Sequence, residues 1–328
     1  MADESLATRS TRRLLSAYAR MQLSLSRRFK RFAGHAVLSE PDANDRIAQA
    51  IAAGKPFMAG RVGFTELDAI RTVAGIRAQQ SDSPSRRWLS QVRGEPAQMD
   101  AELADWLNRV SGFFPTTPPM VARLADVLVA AVSEADLLAI WYRRHEHRLM
   151  RTYAANALPM EPRGLEPYYH EQPWSLQLAG KRVLVVHPYE TSIRAQFANR
   201  KRLFGDRQVW PECELKTLKA VQTLAGERVG FSDWFEALEH MQRDIDKIEF
   251  DVAIIGAGAY GLPLAAHVKR NGGIAIHIGG ATQLLFGIRG RRWEDRPEVT
   301  QLYNEHWVRP APEETPKAHD SVESGAYW

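Results

Sequence analysis

The sequence lacks the features that define several large classes of proteins. Its 328 residues include one cysteine, Cys213, so no disulfide can form within the chain. It has no run of about 18 apolar residues, the length that a membrane-spanning helix requires, and no signal-peptide pattern. These absences predict a protein of the cytoplasm.

Several catalytic signatures are also missing. The chain contains no G-x-x-x-x-G-K-[ST] loop, no H-E-x-x-H, no G-x-S-x-G and no C-x-x-C. Each of these spacings brings reactive groups together for one kind of chemistry, so their absence argues against phosphate-loop ATPases, zincins, α/β-hydrolases and thiol oxidoreductases. The net charge of +4 is too small to indicate nucleic-acid binding, and we expect none.

Acidic residues are absent from a long segment near the N-terminus, between Thr8 and Ser39. Its Lys and Arg residues are Arg9, Arg12, Arg13, Arg20, Arg27, Arg28, Lys30 and Arg31. Its apolar residues recur at helical spacing, and they are Leu14, Tyr18, Met21, Leu25 and Phe32. Residues 9–32 could therefore lie as an amphipathic helix on an anionic membrane surface, on the inner face of the membrane. The alternatives are a mobile tail and a helix docked on its own domain or on a second subunit.

We divide the chain into this basic extension, residues 1–40, and one domain, residues 41–328. In the second half, apolar strand patterns at 182–187, 212–221, 252–255 and 274–278 alternate with helix patterns. The alternation predicts an α/β fold with a Rossmann-like parallel sheet and helices on both faces. Between the halves we expect a surface loop at 81–96 and an irregular segment at 145–172. Tyr327 and Trp328 should pack back onto the domain.

A glycine-rich turn follows the strand pattern at 252–255. Gly256, Gly258 and Gly261 match the G-x-G-x-x-G dinucleotide fingerprint, with Tyr260 inside the turn. The fingerprint also requires an acidic residue about 20 positions on, where the next strand ends. That strand ends here at His277 without a carboxylate. We therefore expect no NAD, and the turn is either purely structural or part of a site for another phosphorylated ligand.

A second turn from strand to helix lies within residues 56–73. Thr65 and Asp68 have capping-box spacing, so we expect the helix to begin at Thr65. A helix N-terminus beside an arginine can bind a diphosphate, which makes Arg61, Gly63 and Thr65 candidate ligands. Glu66 could ligate a metal, accept a hydrogen bond from a sugar hydroxyl or act as a base. Alternatively, Glu66 only complements the helix dipole.

Polar residues at other predicted strand ends extend the candidate site. His187 and Glu190 follow one strand, and Glu190 could be a general base or merely begin the next helix. After the strand at 274–278, the pattern of an anion site recurs. Its candidates are Gly279, Gly280, Thr282 and Gln283. We expect Thr282 to cap a short helix at 283–286.

Together these stretches resemble bacterial glycosyltransferases of the GT-D fold. The resemblance is carried by RVGFTE at 61–66, HPYET at 187–191, FDVAIIGAGAYGLP at 250–263 and IHIGGATQLLFGI at 276–288, and it covers about residues 45–328. It implies a nucleotide-sugar donor, with a UDP-sugar favoured, and a glycan or lipid-linked acceptor in surface-polysaccharide biosynthesis. Glu66 and Glu190 would then be catalytic, and the other candidates would bind the donor.

The resemblance also implies an Asp-x-Glu motif that binds the nucleotide with a divalent cation. Glu66 matches its glutamate, whereas Phe64 stands in place of the aspartate. One carboxylate is a poor site for Mg²⁺ or Mn²⁺ unless phosphates and water complete the shell. Arg61 and the helix N-terminus could neutralise the diphosphate instead. Two alternatives are an NAD(P)-dependent oxidoreductase and a non-catalytic protein that binds membrane surfaces.

Overall fold

The centre of the fold is a seven-stranded sheet whose paired strands are all parallel. The computed structural model describes residues 6–224, 230–316, 320 and 325–328. The strands are β1 (Arg31–Phe32), β2 (His35–Ala36), β3 (Phe57–Arg61), β4 (Leu137–Ala139), β5 (Leu158–Met160), β6 (Arg182–His187), β7 (Glu214–Lys219), β8 (Val252–Ile255) and β9 (Ile274–His277). β1 and β2 form a separate antiparallel pair, and the sheet order is β5-β4-β3-β9-β8-β6-β7. The predicted α/β fold is confirmed.

Helices cover both faces of this sheet. The described helices are α1 (Leu6–Phe29), α2 (Glu40–Ala53), α3 (Phe64–Gln79), α4 (Pro84–Arg93), α5 (Ala101–Arg109), α6 (Pro118–Ser133), α7 (Arg144–Tyr153), α8 (Glu190–Ala198), α9 (Trp234–Asp246), α10 (Gly261–Arg270) and α11 (Pro297–Thr300). Helices α3, α6, α9 and α10 pack on one face. Helices α2 and α8 pack on the other, with several 3₁₀ turns.

Apart from the edge strand β7, the strands of the sheet are mostly buried on both sides because their side chains alternate between two cores. In β3, Met58 joins the core under α3 and α6, whereas Phe57 and Ala59 join the core under α2. This period of two explains why the sequences of the buried strands are almost uniformly apolar. Each large side chain buried in this way contributes about 1.5–3 kcal/mol.

The sheet has a topological switch point between its central strands β3 and β9. After β3 the chain turns into α3 on one face, whereas after β9 it forms a 3₁₀ segment, Gly279–Phe286, that packs on the opposite face. Two adjacent parallel strands whose connections leave to opposite faces create a crevice at their carboxyl ends. The topology therefore places a crevice beside Arg61 and His277.

Two regions expected to be irregular contain regular elements. The predicted loop at 81–96 includes α4, where Ser83 is the N-cap, Pro84 opens the helix and Gly94 ends it with φ of 65°. Proline fits the first turn because its missing N–H has no intrahelical partner there, so these residues are helix caps and not loop breakers. The irregular segment expected at 145–172 likewise contains most of α7 and all of β5.

Three finer expectations were also wrong. Helix α3 begins at Phe64 with Gly63 as its N-cap, so Thr65 lies inside the first turn. Thr282 caps no helix, because the 3₁₀ segment already begins at Gly279. Phe32 is buried in β1 beyond the end of α1 and does not belong to the apolar stripe. The expected packing of the C-terminal aromatic pair is confirmed.

Candidate ligand-binding cleft

Two adjoining cavities open at the carboxyl ends of the central strands. The α3 cleft, a space of about 870 Å³ that is partly open solvent, lies between the N-terminus of α3 and the turns that follow β8 and β9. The Glu166 cavity, a space of about 1070 Å³ that is also partly open solvent, lies on the other side of Arg61, under the segment from Pro162 to Tyr169. The residues common to both are Arg61, Phe64, Gly280, Arg292 and Tyr327. A ligand with two parts could therefore occupy both cavities and pass beside Arg61.

Arg61 lies at the boundary, near the carboxylates of Glu66 and Glu166 but without an ion pair to a described residue. Its guanidinium stacks over the Trp141 ring at 4.6 Å, and no described carboxylate forms a salt bridge with it. Burial lowers the pKa of Arg61, but a guanidinium retains its charge in proteins. A partly buried cation without an ionic partner is a strong site for an anion, because guanidinium can bind phosphate oxygens through two hydrogen bonds.

The wall behind Arg61 is aromatic, and sequence reasoning missed it. Trp141 meets the exposed Phe64 ring edge-on at 5.6 Å, and the Arg143 guanidinium lies over Phe64 at 3.6 Å. The buried Glu146 carboxylate holds this wall in place, since it accepts hydrogen bonds from the backbone N–H groups of Trp141 and Arg143. Flat aromatic faces beside a cation suit a ligand that combines a ring with a phosphate.

Glu66 lies in the α3 cleft and folds back over the helix N-terminus. A Cβ placed on Gly63 would lie 1.9 Å from the Glu66 Oε2 atom, so a side chain there would displace the Glu66 carboxyl group. Burial raises the pKa of Glu66, while hydrogen bonds from its own N–H and from the Ser111 hydroxyl lower it. The carboxyl group thus complements the helix dipole and also faces the cleft. A structural role at the helix N-terminus is therefore compatible with a role in binding or catalysis.

The glycines after β8 are explained mainly by packing. A Cβ on Gly256 would lie 2.6 Å from the Thr282 hydroxyl and 2.7 Å from the His187 ring. On Gly261 it would lie 2.1 Å from the His277 Cε1 atom. Of the three fingerprint glycines, Gly258 lines the α3 cleft, with φ of 52°.

Replacing Gly261 with alanine should therefore destabilise the fold. His277 is buried and its Nδ1 lies 3.2 Å from the Ile255 carbonyl oxygen, so the ring has little room to move. Overpacking of this kind typically costs about 1–3 kcal/mol. Urea denaturation would measure the loss. Gly230→Ala is the matched control, because a Cβ there meets no atom within 4 Å. Equal stability of the two variants would contradict this account of the turn.

His277 lines the α3 cleft in its neutral form. Burial, assisted by the Arg61 charge, lowers the pKa of His277 to about 4. Gly279, with φ of 72°, and Gly280 complete this side of the cleft, where added side chains would press on Arg61 and Tyr327. The structure thus brings together Arg61, Gly63, Thr65, Glu66, Gly258, His277, Gly279 and Gly280.

Other predicted site residues lie beneath the cleft. The His187 Nδ1 accepts a hydrogen bond from the Tyr189 N–H, and burial lowers the pKa of His187 to about 3. Tyr260 stacks on Trp234 at 4.6 Å. Gln283 donates to the carbonyl oxygens of Ile288 and Tyr327, 3.2 and 3.1 Å away. These residues line neither cavity, and the same holds for Gly256, Gly261 and Thr282. All of them support the loops that line the cavities.

Glu190 does not join the other candidates. It lies in the first turn of α8, after β6, which is separated from β9 by β8. Its carboxylate accepts hydrogen bonds from Arg194 at 2.8 Å and from the Thr217 hydroxyl at 2.7 Å. The simpler interpretation, in which Glu190 begins the next helix, accounts for all of these contacts.

Glu166 is the carboxylate that sequence reasoning missed. It lines the cavity named after it, and its Oε2 accepts a hydrogen bond of 3.0 Å from the Tyr168 hydroxyl. Burial raises the pKa of Glu166, while the Tyr168 hydrogen bond and the charge of Arg61 lower it. Its surroundings, a proline-rich stretch without periodicity, gave no signal that a specific glutamate faces the crevice.

Metal ligands are sparse at the crevice. Within the part of the chain that the structure describes, no three His, Cys, Asp or Glu side chains come together to hold a metal ion. Glu66 offers one carboxylate at the helix N-terminus, and an oxygen shell there would need the phosphates of a ligand and water. Comparison of the chain with protein-family models, curated proteins and solved structures gives no match.

Proposed function

We propose that the protein is a glycosyltransferase that moves a sugar from a nucleotide-sugar donor to a glycan or lipid-linked acceptor of surface-polysaccharide biosynthesis. A UDP-sugar is the favoured donor. The observation that carries this proposal is the cation of Arg61, which forms no ion pair within the described part of the chain and lies at the junction of two cavities. The diphosphate of the donor is the leaving group, and its developing charge needs such a cation.

The α3 cleft receives the donor in this proposal. Its diphosphate binds to Arg61 and to the N-terminus of α3. Phe64 in this cleft, and Trp141 beside it in the Glu166 cavity, offer aromatic surface to a flat ring. Glu66 faces the same space and accepts a hydrogen bond from a donor hydroxyl, or ligates a divalent cation that the phosphates also bind. His277, neutral at pH 7, adds no second positive charge.

The Glu166 cavity receives the acceptor hydroxyl. The Glu166 carboxylate takes the proton of that hydroxyl as the acceptor oxygen forms a bond to the anomeric carbon. The bond between this carbon and the diphosphate oxygen breaks, and the negative charge on the diphosphate is stabilised by Arg61. A base with a raised pKa suits this step, because it holds the proton more firmly than an exposed carboxylate would.

The oxidoreductase alternative has less support at the same place. A dinucleotide fingerprint uses its glycines for close approach of the pyrophosphate, yet Gly256 is covered by Thr282 and His187, and β9 ends in His277. The residues that follow β9, from Ile278 to Phe286, include no carboxylate that could hold the ribose hydroxyls.

Thermal unfolding with separate ligands tests the proposal. We expect a UDP-sugar to raise the melting temperature and NADH to leave it unchanged, since a ligand at 100 times its Kd adds about 2.7 kcal/mol. A screen of sugar-nucleotide hydrolysis with and without Mn²⁺ then measures turnover without knowledge of the acceptor. If Mn²⁺ raises turnover in the wild type but not in Glu66→Gln, the metal is assigned to Glu66. Stabilisation by NADH alone would overturn the proposed function.

A further inference from the structure

Helix α1 exposes its apolar stripe to solvent. Five large side chains that recur every three or four residues are each 43–71% exposed, and they are Leu14, Tyr18, Met21, Leu25 and Phe29. Positions at this spacing lie on one face of a helix. A contiguous apolar face of this kind is unusual on a surface that has no partner.

The opposite face of α1 attaches the helix to the domain, and the side chains described on that face are largely small or polar. Its half-buried positions include Ser16, Ala19, Gln22 and Ser26. Leu23 is partly buried and packs on the core, and the helix has α4 and α7 as neighbours. A surface helix normally turns its apolar stripe toward the core. Here the orientation is reversed, so the stripe is available to something outside the domain.

The charge around the stripe has one sign. Helix α1 carries six arginines and no acidic residue, and the side chains of Arg20, Arg27 and Arg28 are exposed. Helix α4, which packs beside α1, also lacks acidic residues and exposes Trp88 and Arg86. Two adjacent helices thus present apolar and aromatic side chains among arginines.

We propose that α1 docks the protein on an anionic lipid surface, with the stripe at the boundary of the acyl chains and the arginines among the headgroups. Amphipathic helices bind such interfaces through buried apolar area together with attraction to anionic lipids. A second copy of the chain fits less well, because pairing two stripes would oppose arginine-rich helices without carboxylates to compensate them. Among the described residues, no helix is long and apolar enough to cross a membrane.

Flotation of the full chain with lipid vesicles tests this surface independently of sugar transfer. We expect the protein to float with vesicles of phosphatidylcholine and phosphatidylglycerol. With vesicles of phosphatidylcholine alone it should remain at the bottom of the gradient. Salt screens the attraction between basic residues and an anionic surface, so binding should weaken at high salt. Equal binding to neutral vesicles, or no binding to anionic ones, would overturn the proposal.

Substitutions in the stripe separate the lipid surface from a second copy. Met21→Asp and Leu25→Asp place a charge where the helix would enter the lipid, and each should weaken anionic-vesicle binding at least tenfold. Val308→Asp is the control, because Val308 is comparably exposed at 37% but lies in the C-terminal part of the domain. Light scattering completes the test. A dimer that Met21→Asp converts to a monomer, without loss of vesicle binding, would assign the stripe to self-association and overturn the proposal.

Discussion

Replacing Arg61 with alanine should weaken binding of a UDP-sugar roughly 10- to 100-fold, because hydrogen bonds to a charged group contribute about 1.5–3 kcal/mol. The guanidinium has no salt bridge to lose within the described chain, so the fold should be little affected. Calorimetric titration measures the affinity, and thermal unfolding without ligand measures the stability. An unchanged affinity would remove the proposed diphosphate site.

Two further variants test the source of this effect. The first separates the positive charge of Arg61 from the shape of its guanidinium, and the second controls for the loss of an arginine in general. Arg61→Lys keeps the positive charge but loses the planar fork and its stacking on Trp141, so it should restore only part of the affinity. Arg123→Ala is the matched control. Arg123 also lies over an aromatic ring, that of Phe235 at 3.8 Å, but on the helical face and away from both cavities. Its loss should leave UDP-sugar affinity unchanged.

The sheet could be predicted from the sequence because its strands carry their own signal. Buried parallel strands such as β6 and β8 are continuous apolar runs, and helices of regular length separate them. Helix α4 was missed because Pro84 and Gly94 are typical of loops as well as of helix caps. Only the surrounding packing, such as the complete burial of Val92, distinguishes the two cases.

The candidate site was only partly predictable, and the reason lies in sheet order. Arg61 and Glu66 could be found because a strand, a turn and a helix N-terminus are contiguous in sequence. Trp141 and Glu166 could not, since they reach Arg61 only through the pairing of β3 with β4 and of β4 with β5. Glu190 was misplaced for the same reason: its strand end looks equivalent in sequence, but β8 separates that strand from β9.

Glu166→Gln should reduce sugar transfer roughly 100- to 10,000-fold and leave donor affinity nearly unchanged, because an amide cannot take a proton but keeps the size of the side chain. The Tyr168 hydroxyl can still donate to the amide oxygen, so the fold should be preserved. Turnover with a suitable acceptor and titration with the UDP-sugar separate the two effects. A parallel loss of donor affinity would make Glu166 a ligand of the donor.

Glu190→Gln is the control for Glu166→Gln. Glu190 lies outside both cavities and accepts hydrogen bonds from Arg194 and Thr217, so its replacement should not change turnover. The pH profile gives a second readout. Burial raises the pKa of Glu166, and the base works only when deprotonated, so wild-type turnover should rise with pH through that raised pKa. Glu166→Gln should lack this acidic limb. If the acidic limb of the pH profile persists in Glu166→Gln but disappears in Glu66→Gln, the base is Glu66, on the donor side of Arg61.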